Sequence, residues 1–370
     1  MCLYGTRQGV IGLKKIKKIL SEIFIDGLGS MAMGLFATLI IGTIIEQVGK
    51  LIGAETAVGG HVIMAGRAAM VLTGAGIGCA VATKLRKPPL VIFSAAVSGF
   101  IGAYASQITA GKFFDGAATV TLSGPGEPLG AFIAAYISIV FGSLVANRTK
   151  IDILVTPLVS IATGGAAGIF VGAPIASFMK AAGELINWGV EQQPVVMGIV
   201  VSVLMGIALT LPISSAAIGV SLGLSGIAAG AAVVGCCANM IGFAVASYKE
   251  NKFGGLVAQG LGTSMLQMPN IVRKPVIWIP AIVASAVLGP IATTLLGFAS
   301  NATGSGMGTA GLVGPLMTLQ TMADGTRPLW EVLLQILVMC FIAPAAISLG
   351  VSAFMRPRGW IKDGDMKLDL

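Results

Sequence analysis

The chain has 370 residues, of which 55% are hydrophobic and only 10% are charged, and its mean hydropathy is +0.93. Soluble domains carry about 25% charged residues, so this composition excludes an ordinary water-soluble protein and indicates an integral membrane protein. The net charge of +8 does not indicate nucleic-acid binding, because the basic residues form short clusters between apolar segments, where the positive-inside rule expects them.

The apolar segments are long and do not alternate with polar residues, whereas the strands of a membrane barrel alternate over about ten residues. Glycine accounts for 52 residues, and small residues let membrane helices approach each other closely. We therefore predict an all-α integral membrane protein.

The N-terminal residues 1–27 are predicted to form an amphipathic helix on the cytoplasmic membrane surface. In LKKIKKILSEIFID (13–26) the apolar residues fall on one helical stripe and four lysines lie beside it. A solvated basic tail is the alternative interpretation.

Residues 28–355 are predicted to form a single transmembrane domain, followed by a cytoplasmic tail over 356–370. About 20 residues are needed to span the hydrocarbon core. The apolar segments are 28–47, 61–83, 89–108, 129–146, 153–179, 195–224, 225–247, 276–298 and 329–355.

Basic clusters set the orientation of these segments and predict that both termini are cytoplasmic. Residue 190 is expected outside, after five crossings, whereas the basic stretch 249–274 is expected to be cytoplasmic. An odd number of crossings must therefore lie between residues 195 and 248. Three crossings, or one crossing with a re-entrant hairpin, both satisfy this requirement. The interruption is expected at TLPISS (Thr210 to Ser215), because Pro212 removes a backbone donor. The total is therefore about eight or ten transmembrane helices.

Two Gly-rich regions, 109–128 and 299–323, do not read as simple helices. Non-helical backbone survives at membrane depth only where protein or a water-filled cavity covers it, and transporters build substrate sites from such segments. Both regions are candidate re-entrant hairpins, and external loops are the alternative.

No catalytic motif occurs in the sequence, and His61 is its only histidine. Glu127 lies in the rigid bend Gly124–Pro128, where a carboxylate could bind sugar hydroxyls or titrate with a proton; an exterior turn is the alternative. Neutral amides and hydroxyls suit an uncharged polyhydroxy solute, and no metal or cofactor is predicted. The predicted solute-binding residues are Glu127, His61, Asn239, Thr263, Gln267, Asn270, Asn301 and Thr309.

Residues 246–294 (ASYKENKFGGLVAQGLGTSMLQMPNIVRKPVIWIPAIVASAVLGPIATT), followed by GSGMGTAGLVGP (304–315), resemble a family of phosphotransferase-system enzyme IIC-like membrane proteins. That family includes proteins named after the perfringolysin regulator. The resemblance implies about ten spans with re-entrant hairpins, a homodimer in the bacterial plasma membrane, and elevator-type sugar transport coupled to phosphorylation. Separate IIB and IIA phosphocarrier partners would supply the phosphoryl group. The usual His/Glu sugar-site pair cannot be assigned by motif, so His61 and Glu127 are candidates by chemistry only.

Three hypotheses about function follow. The first is a stand-alone IIC-like subunit that transports a small polar solute, a sugar or sugar-like compound, and is at most the membrane subunit of a phosphotransferase system. The second is a membrane sensor or regulator that has a transporter fold. The third is a secondary transporter driven by H⁺ or Na⁺, with Glu127 as the titrating group.

Overall fold

A computed structural model describes residues 22–111, 114–115, 119–120, 122, 124–323 and 327–368. Most of the predicted N-terminal surface helix lies outside these ranges, so that prediction is not tested. A π-helical turn, Glu22–Gly27, leads into the first long helix.

Helices dominate the fold, which confirms the predicted all-α class. Within the described residues, one antiparallel pair of two-residue strands, Phe114–Asp115 and Thr119–Val120, accompanies them. The helices are α1 (Leu28–Gly53), α2 (Ala57–Val71), α3 (Thr73–Lys84), α4 (Pro89–Ala103), α5 (Ala105–Thr109), α6 (Pro128–Val145), α7 (Asp152–Val190), α8 (Pro194–Thr210), α9 (Ser215–Ser221), α10 (Gly226–Ala246), α11 (Tyr248–Val257), α12 (Met268–Arg273), α13 (Pro275–Leu295), α14 (Ala302–Ser305), α15 (Val313–Met322) and α16 (Leu329–Met355).

Several helices depart from regular α geometry. Helices α1, α13 and α16 each contain a π-helical segment, and α13 begins with a 3₁₀ turn. Proline stands at the first position of α4, α6 and α8, where its missing N–H costs nothing because the first helical donors have no partner in the helix.

Six of these helices are long and apolar enough to cross a membrane, namely α1, α6, the Asp152–Gly172 part of α7, α10, α13 and α16. Helices α2 and α3 are together long and apolar enough to cross a membrane, although they are bent by 50° at their junction. Helices α4 and α8 are apolar but shorter. The chain is therefore a multi-pass membrane protein, and the predicted count of ten spans is not confirmed.

The predicted interruption between residues 195 and 248 lies at the proline. Helix α8 ends at Thr210, and α9 begins at Ser215 after Leu211 adopts an extended conformation. Pro212 cannot continue the helix because it lacks the N–H and its ring clashes with the preceding turn. The Ser214 hydroxyl then caps α9 by accepting a hydrogen bond from the N–H of Ala217.

Helix α10 forms the centre of the molecule, because nearly nine-tenths of its apolar residues are buried. It packs against α8, α13 and α16. Glycine permits this close packing: a Cβ at Gly235 would collide with the backbone carbonyl of Ser202 in α8. Lipid offers no hydrophobic force between helices, so such close backbone contact is the main source of helix association.

The C-terminal tail does not extend away from the helices. After α16 the chain turns back, and the side chains of Ile361, Met366 and Leu368 are buried in the same apolar cluster as residues of α1 and α12. The tail is thus packed against the core of the transmembrane domain.

Candidate functional site

The bend Gly124–Pro128 is fixed by backbone contacts. Gly124 and Gly126 both adopt positive φ angles, of 70° and 78°, which favour glycine. The backbone N–H of Glu127 donates to the carbonyl of Ala103 at 2.8 Å. The Tyr104 hydroxyl donates to the carbonyl of Gly124, also at 2.8 Å. The bend therefore holds Glu127 against the end of α4.

The Glu127 carboxylate lies near the starts of two helices, beside the backbone N–H groups of Leu129, in α6, and of Ser214, which precedes α9. Its Oε1 atom is buried, and within the described residues it has no hydrogen-bond partner. A buried polar atom without a partner costs about 1–3 kcal/mol, so this oxygen is suited to accept a hydrogen bond from a ligand.

Glu127 lines a cavity of about 680 Å³, which we call the first cavity. One wall is a polar stripe at the C-terminal end of α7, formed by Glu184, Asn187, Trp188 and Glu191 at i, i+3, i+4 and i+7. The Trp188 side chain is about half exposed. Residues without a bulky side chain, among them Gly102, Gly130 and Gly172, also line the cavity. The volume falls within the range of about 300–1,000 Å³ that is typical of small-molecule sites.

A smaller cavity of about 240 Å³, the second cavity, lies on the other face of the same bend. Gly126 and Pro128 line it, whereas Glu127 between them faces the first cavity. Residues Ser214–Ala216 likewise face the second cavity, and Ala217 and Ile218 face the first. The two cavities are therefore separated by a wall built from consecutive residues of two chain segments.

Of the eight predicted solute-binding residues, the structure places Glu127 in the first cavity and Thr263 in the second, and the other six line neither. His61 is exposed on α2, and its Nδ1 contacts the carbonyl of Ala57 one turn earlier. Asn301 is the N-cap of α14 and accepts a hydrogen bond from the N–H of Gly304. The Thr309 hydroxyl is buried and donates to the carbonyl of Gly260.

Asn239 is fully buried in α10, and its amide is satisfied within the protein. Its Nδ2 donates to the carbonyl of Gly235 at 3.1 Å and to the Ser285 hydroxyl at 3.2 Å. Its Oδ1 accepts from the indole of Trp278 at 2.8 Å and from the Thr210 hydroxyl at 3.3 Å. These contacts give Asn239 a helix-packing role; its predicted contact with solute stays a prediction.

Gln267 and Asn270 bind the C-terminal tail. The Gln267 amide donates to the carbonyl of Met366, and the Asn270 amide donates to the carbonyl of Lys367, both at 2.9 Å. Asn270 also donates to the Gln267 side-chain oxygen at 2.9 Å. The amide donors of this segment are therefore used by the protein itself.

The sequence analysis missed the polar stripe of α7. The sequence does contain the pattern that indicates this stripe. Four residues share one helical face after a long apolar segment, namely Glu184, Asn187, Trp188 and Glu191. That pattern also fits the polar end of a helix that leaves the membrane, so only the neighbouring bend at Glu127 distinguishes a cavity wall from an interfacial anchor.

Within the described part of the chain, no group of three or more His, Cys, Asp or Glu residues could hold a metal ion. No curated protein matches the chain. The family described as "Phosphotransferase system, EIIC" matches residues 25–368, which covers nearly all of the helices described above. The protein therefore belongs to the EIIC family of the phosphotransferase system and is a multi-pass membrane protein of transporter type.

Proposed function

We propose that the protein transports a small, uncharged, polar solute, most simply a sugar or sugar-like compound, and that the first cavity is its binding site. The observation that carries this proposal is the Glu127 carboxylate, whose Oε1 is buried at the cavity wall without a partner among the described residues. A solute hydroxyl would satisfy that oxygen, and charge-assisted hydrogen bonds are about twice as strong as neutral ones.

The other described side chains of the first cavity support a polyhydroxy ligand. The half-exposed Trp188 ring offers an apolar face on which a sugar ring can stack, and Asn187 and Ser106 offer neutral polar groups. Three carboxylates line the cavity, and no Lys or Arg is among its described lining residues. This charge distribution favours a neutral solute over an anionic one, because like charges repel strongly where water is partly excluded.

As a stand-alone EIIC subunit, the protein would receive its phosphoryl group through separate IIB and IIA phosphocarriers. The segment 249–274 is the proposed docking region for IIB, because its basic residues mark it as cytoplasmic. Family membership is also the basis for proposing a homodimer with an elevator-type motion and a location in the bacterial plasma membrane.

The test is equilibrium binding of uncharged sugars and polyols to the purified protein, followed by uptake into proteoliposomes. We expect Glu127→Gln to weaken binding by about 10- to 100-fold, because a hydrogen bond to a charged group contributes about 1.5–3 kcal/mol. Trp188→Ala should weaken it similarly. Trp330→Ala is the matched control, because Trp330 is 67% exposed and lines neither cavity.

The same experiment separates the alternatives. Binding without uptake would favour a sensor or regulator. Uptake that depends on pH, and that loses this dependence in Glu127→Gln, would favour an H⁺-coupled transporter. Unchanged binding in both Glu127→Gln and Trp188→Ala would contradict the proposed site.

A further inference from the structure

The second cavity differs from the first because its larger lining side chains are mostly apolar. It lies between α1, the 214–216 turn, the segment that follows α11, and the residues from α14 to the start of α15. Leucine, isoleucine and valine supply many of these side chains, and methionine supplies three, Met70, Met265 and Met307. Flexible methionine side chains adapt to the shape of an apolar ligand. The lining therefore suits a hydrocarbon group.

Hydroxyl groups in the lining are directed at the protein backbone. The Thr43 hydroxyl donates to the carbonyl of Leu39 at 2.7 Å. The Ser215 hydroxyl donates to the carbonyl of Gly306, also at 2.7 Å. Because each of these hydroxyls has only one proton to donate, a ligand cannot use it as a donor.

The charged groups of the second cavity carry an excess of positive charge. Among its described lining residues the charged ones are Glu46 and Lys50. The Glu46 carboxylate lies 3.3 Å from the Lys50 ammonium and 3.3 Å from the Arg67 guanidinium. One carboxylate thus faces two cations. An ammonium has three donors, so Lys50 can pair with a further anionic group besides Glu46.

The lining residues of α1 change from apolar to charged along the helix. They include Leu35, Leu39, Thr43, Glu46 and Lys50, at i, i+4, i+8, i+11 and i+15. Fifteen helical residues rise about 20 Å. A cavity of about 240 Å³ that extends beside so long a stretch of helix is narrow. Its shape suits an unbranched chain with a charged end better than a compact ring.

The volume limits the length of such a chain. An apolar cavity of about 150 Å³ holds one benzene molecule, which has six carbons. By the same ratio, a cavity of about 240 Å³ has room for a chain of about eight to ten carbons.

We propose that the second cavity binds a medium-chain fatty acid, with its alkyl chain against the apolar lining and its carboxylate paired with the Lys50 ammonium. The added carboxylate would balance the two cations, Lys50 and Arg67, that now share Glu46. A neutral alcohol lacks this interaction, and an alkylammonium would add a third cation. This site is separate from the proposed solute site in the first cavity and does not depend on it.

Two adjacent positions can report on the two cavities separately. Ala216→Cys places a thiol at the second cavity, and Ala217→Cys places one at the first. The protein is reconstituted in phosphatidylcholine nanodiscs at pH 7.4, and alkylation by N-ethylmaleimide above the rate of the parent protein is measured. The probes are octanoate, 1-octanol and octylammonium, compared at matched concentrations in the bilayer.

Octanoate is expected to slow alkylation of Ala216→Cys by several-fold and to leave Ala217→Cys within twofold. It should act at a concentration about tenfold lower than 1-octanol, because only the carboxylate gains a charge-assisted hydrogen bond. Octylammonium should protect no better than 1-octanol.

Two substitutions should shift the octanoate response in opposite directions, which a general loss of folding cannot do. Lys50→Met should abolish the difference between octanoate and 1-octanol at Ala216→Cys, and Lys50→Arg should retain it. Glu46→Gln should lower the octanoate concentration needed by several-fold, because it removes the carboxylate that competes for Lys50. Lys150→Met is the matched control, because Lys150 is exposed and lines neither cavity.

Three results would overturn the site. The first is an absence of protection by octanoate at Ala216→Cys. The second is equal protection by octanoate and 1-octanol, unchanged in Lys50→Met and Glu46→Gln. The third is equal slowing at Ala216→Cys and Ala217→Cys, which would indicate a general effect of octanoate on the bilayer. None of these results alters sugar binding in the first cavity, which is measured separately.

Discussion

Asn239 uses both polar atoms of its amide in contacts with α8, α10 and α13. Removing this side chain would leave the Trp278 indole and the Ser285 hydroxyl without one of their partners. Each buried group that loses its partner costs about 1–3 kcal/mol. We therefore expect Asn239→Ala to lower the unfolding temperature of the detergent-solubilised protein clearly.

The comparison variant is Asn187→Ala, at the rim of the first cavity. Asn187 makes one long contact of 3.5 Å to Glu191 and is exposed. Asn187→Ala should weaken solute binding and leave the unfolding temperature nearly unchanged, whereas Asn239→Ala should mainly lower the unfolding temperature. Equal unfolding temperatures for the two variants would contradict the helix-packing role of Asn239.

At the residue scale, the sequence was informative where a polar group conflicts with its surroundings. Glu127 could be recognised as a candidate because a carboxylate between apolar segments is energetically costly to place at membrane depth, and such residues usually mark functional sites. The burial of Gln47 could not be predicted, because an amide in the amphipathic end of α1 resembles a residue that leaves the membrane. In the folded protein Gln47 is only 8% exposed, in the part of α1 that packs against α2.

The C-terminal tail is an element whose docking depends on amides and ion pairs. The Lys274 ammonium pairs with the Asp365 carboxylate at 2.5 Å, and both side chains are mostly buried. The Asn251 amide donates to the carbonyl of Met366, and its oxygen accepts from the N–H of Leu368, both at 2.8 Å. The tail thereby holds the segment 249–274, whose turn at Thr263 lines the second cavity.

Charge reversal tests this docking. We expect Lys274→Asp to release the tail and to raise alkylation of Thr263→Cys by several-fold, because replacing the cation of this mostly buried ion pair by a carboxylate places like charges in contact. The double variant Lys274→Asp with Asp365→Lys should restore the slow rate. A Lys274→Asp variant that is alkylated at the parent rate, with its tail resistant to carboxypeptidase, would contradict the role of this ion pair in tail docking.

Tail docking should not respond to pH in the neutral range. Burial alone would raise the pKa of Asp365, but the Lys274 ammonium and the backbone N–H of Lys362 outweigh it, so the pKa is lowered from its usual value. A carboxylate with a lowered pKa in the folded state contributes stability above its unfolded pKa and loses it as the pH falls through the folded value. Carboxypeptidase resistance of the tail should therefore be constant from about pH 8 to pH 5.

The break between α8 and α9 bears on the number of crossings. Helix α9 has seven residues, which rise only about 10 Å, so it cannot cross a hydrocarbon core of about 30 Å. With residue 190 outside and 249–274 inside, as the basic clusters predict, we expect α10 to supply the one crossing and α8 with α9 to form a re-entrant hairpin. Eight crossings are then expected, because α4 must cross to keep both flanking basic clusters inside.

Single cysteines test this topology with a membrane-impermeant thiol reagent. Gln193→Cys and Ser225→Cys should be labelled from the same side, and Lys249→Cys from the opposite side. Labelling of Ser214→Cys from the side that labels Lys249→Cys would contradict the re-entrant hairpin, because that turn would then face the cytoplasm.

For the whole molecule, composition was sufficient to predict an all-α membrane protein, and the long apolar segments correspond to helices. The positions of the amides relative to the solute path were not predictable. Gln267 and Asn270 are close in sequence to Thr263, but their partners are about 100 residues away in the tail. A pattern within one segment carries no information about such a distant partner.

The transporter-type architecture combines a buried central helix with a cavity on either face of one bend. Helix α10 is almost entirely buried, whereas the bend at Glu127 and the turn at Ser214 border the two cavities. Turns that border cavities are easier to separate than close-packed glycine-containing helices. We therefore expect solute movement to involve the bend and the turn, with α10 and α8 remaining together.

The most direct test of the account is an experimental structure of the protein bound to a neutral sugar or polyol selected by the binding measurements. We predict solute density in the first cavity, within hydrogen-bond distance of Glu127 and against the face of Trp188. Density at Gln267 and Asn270, with the C-terminal tail displaced, would contradict the account and place the solute in the amide-rich segment instead.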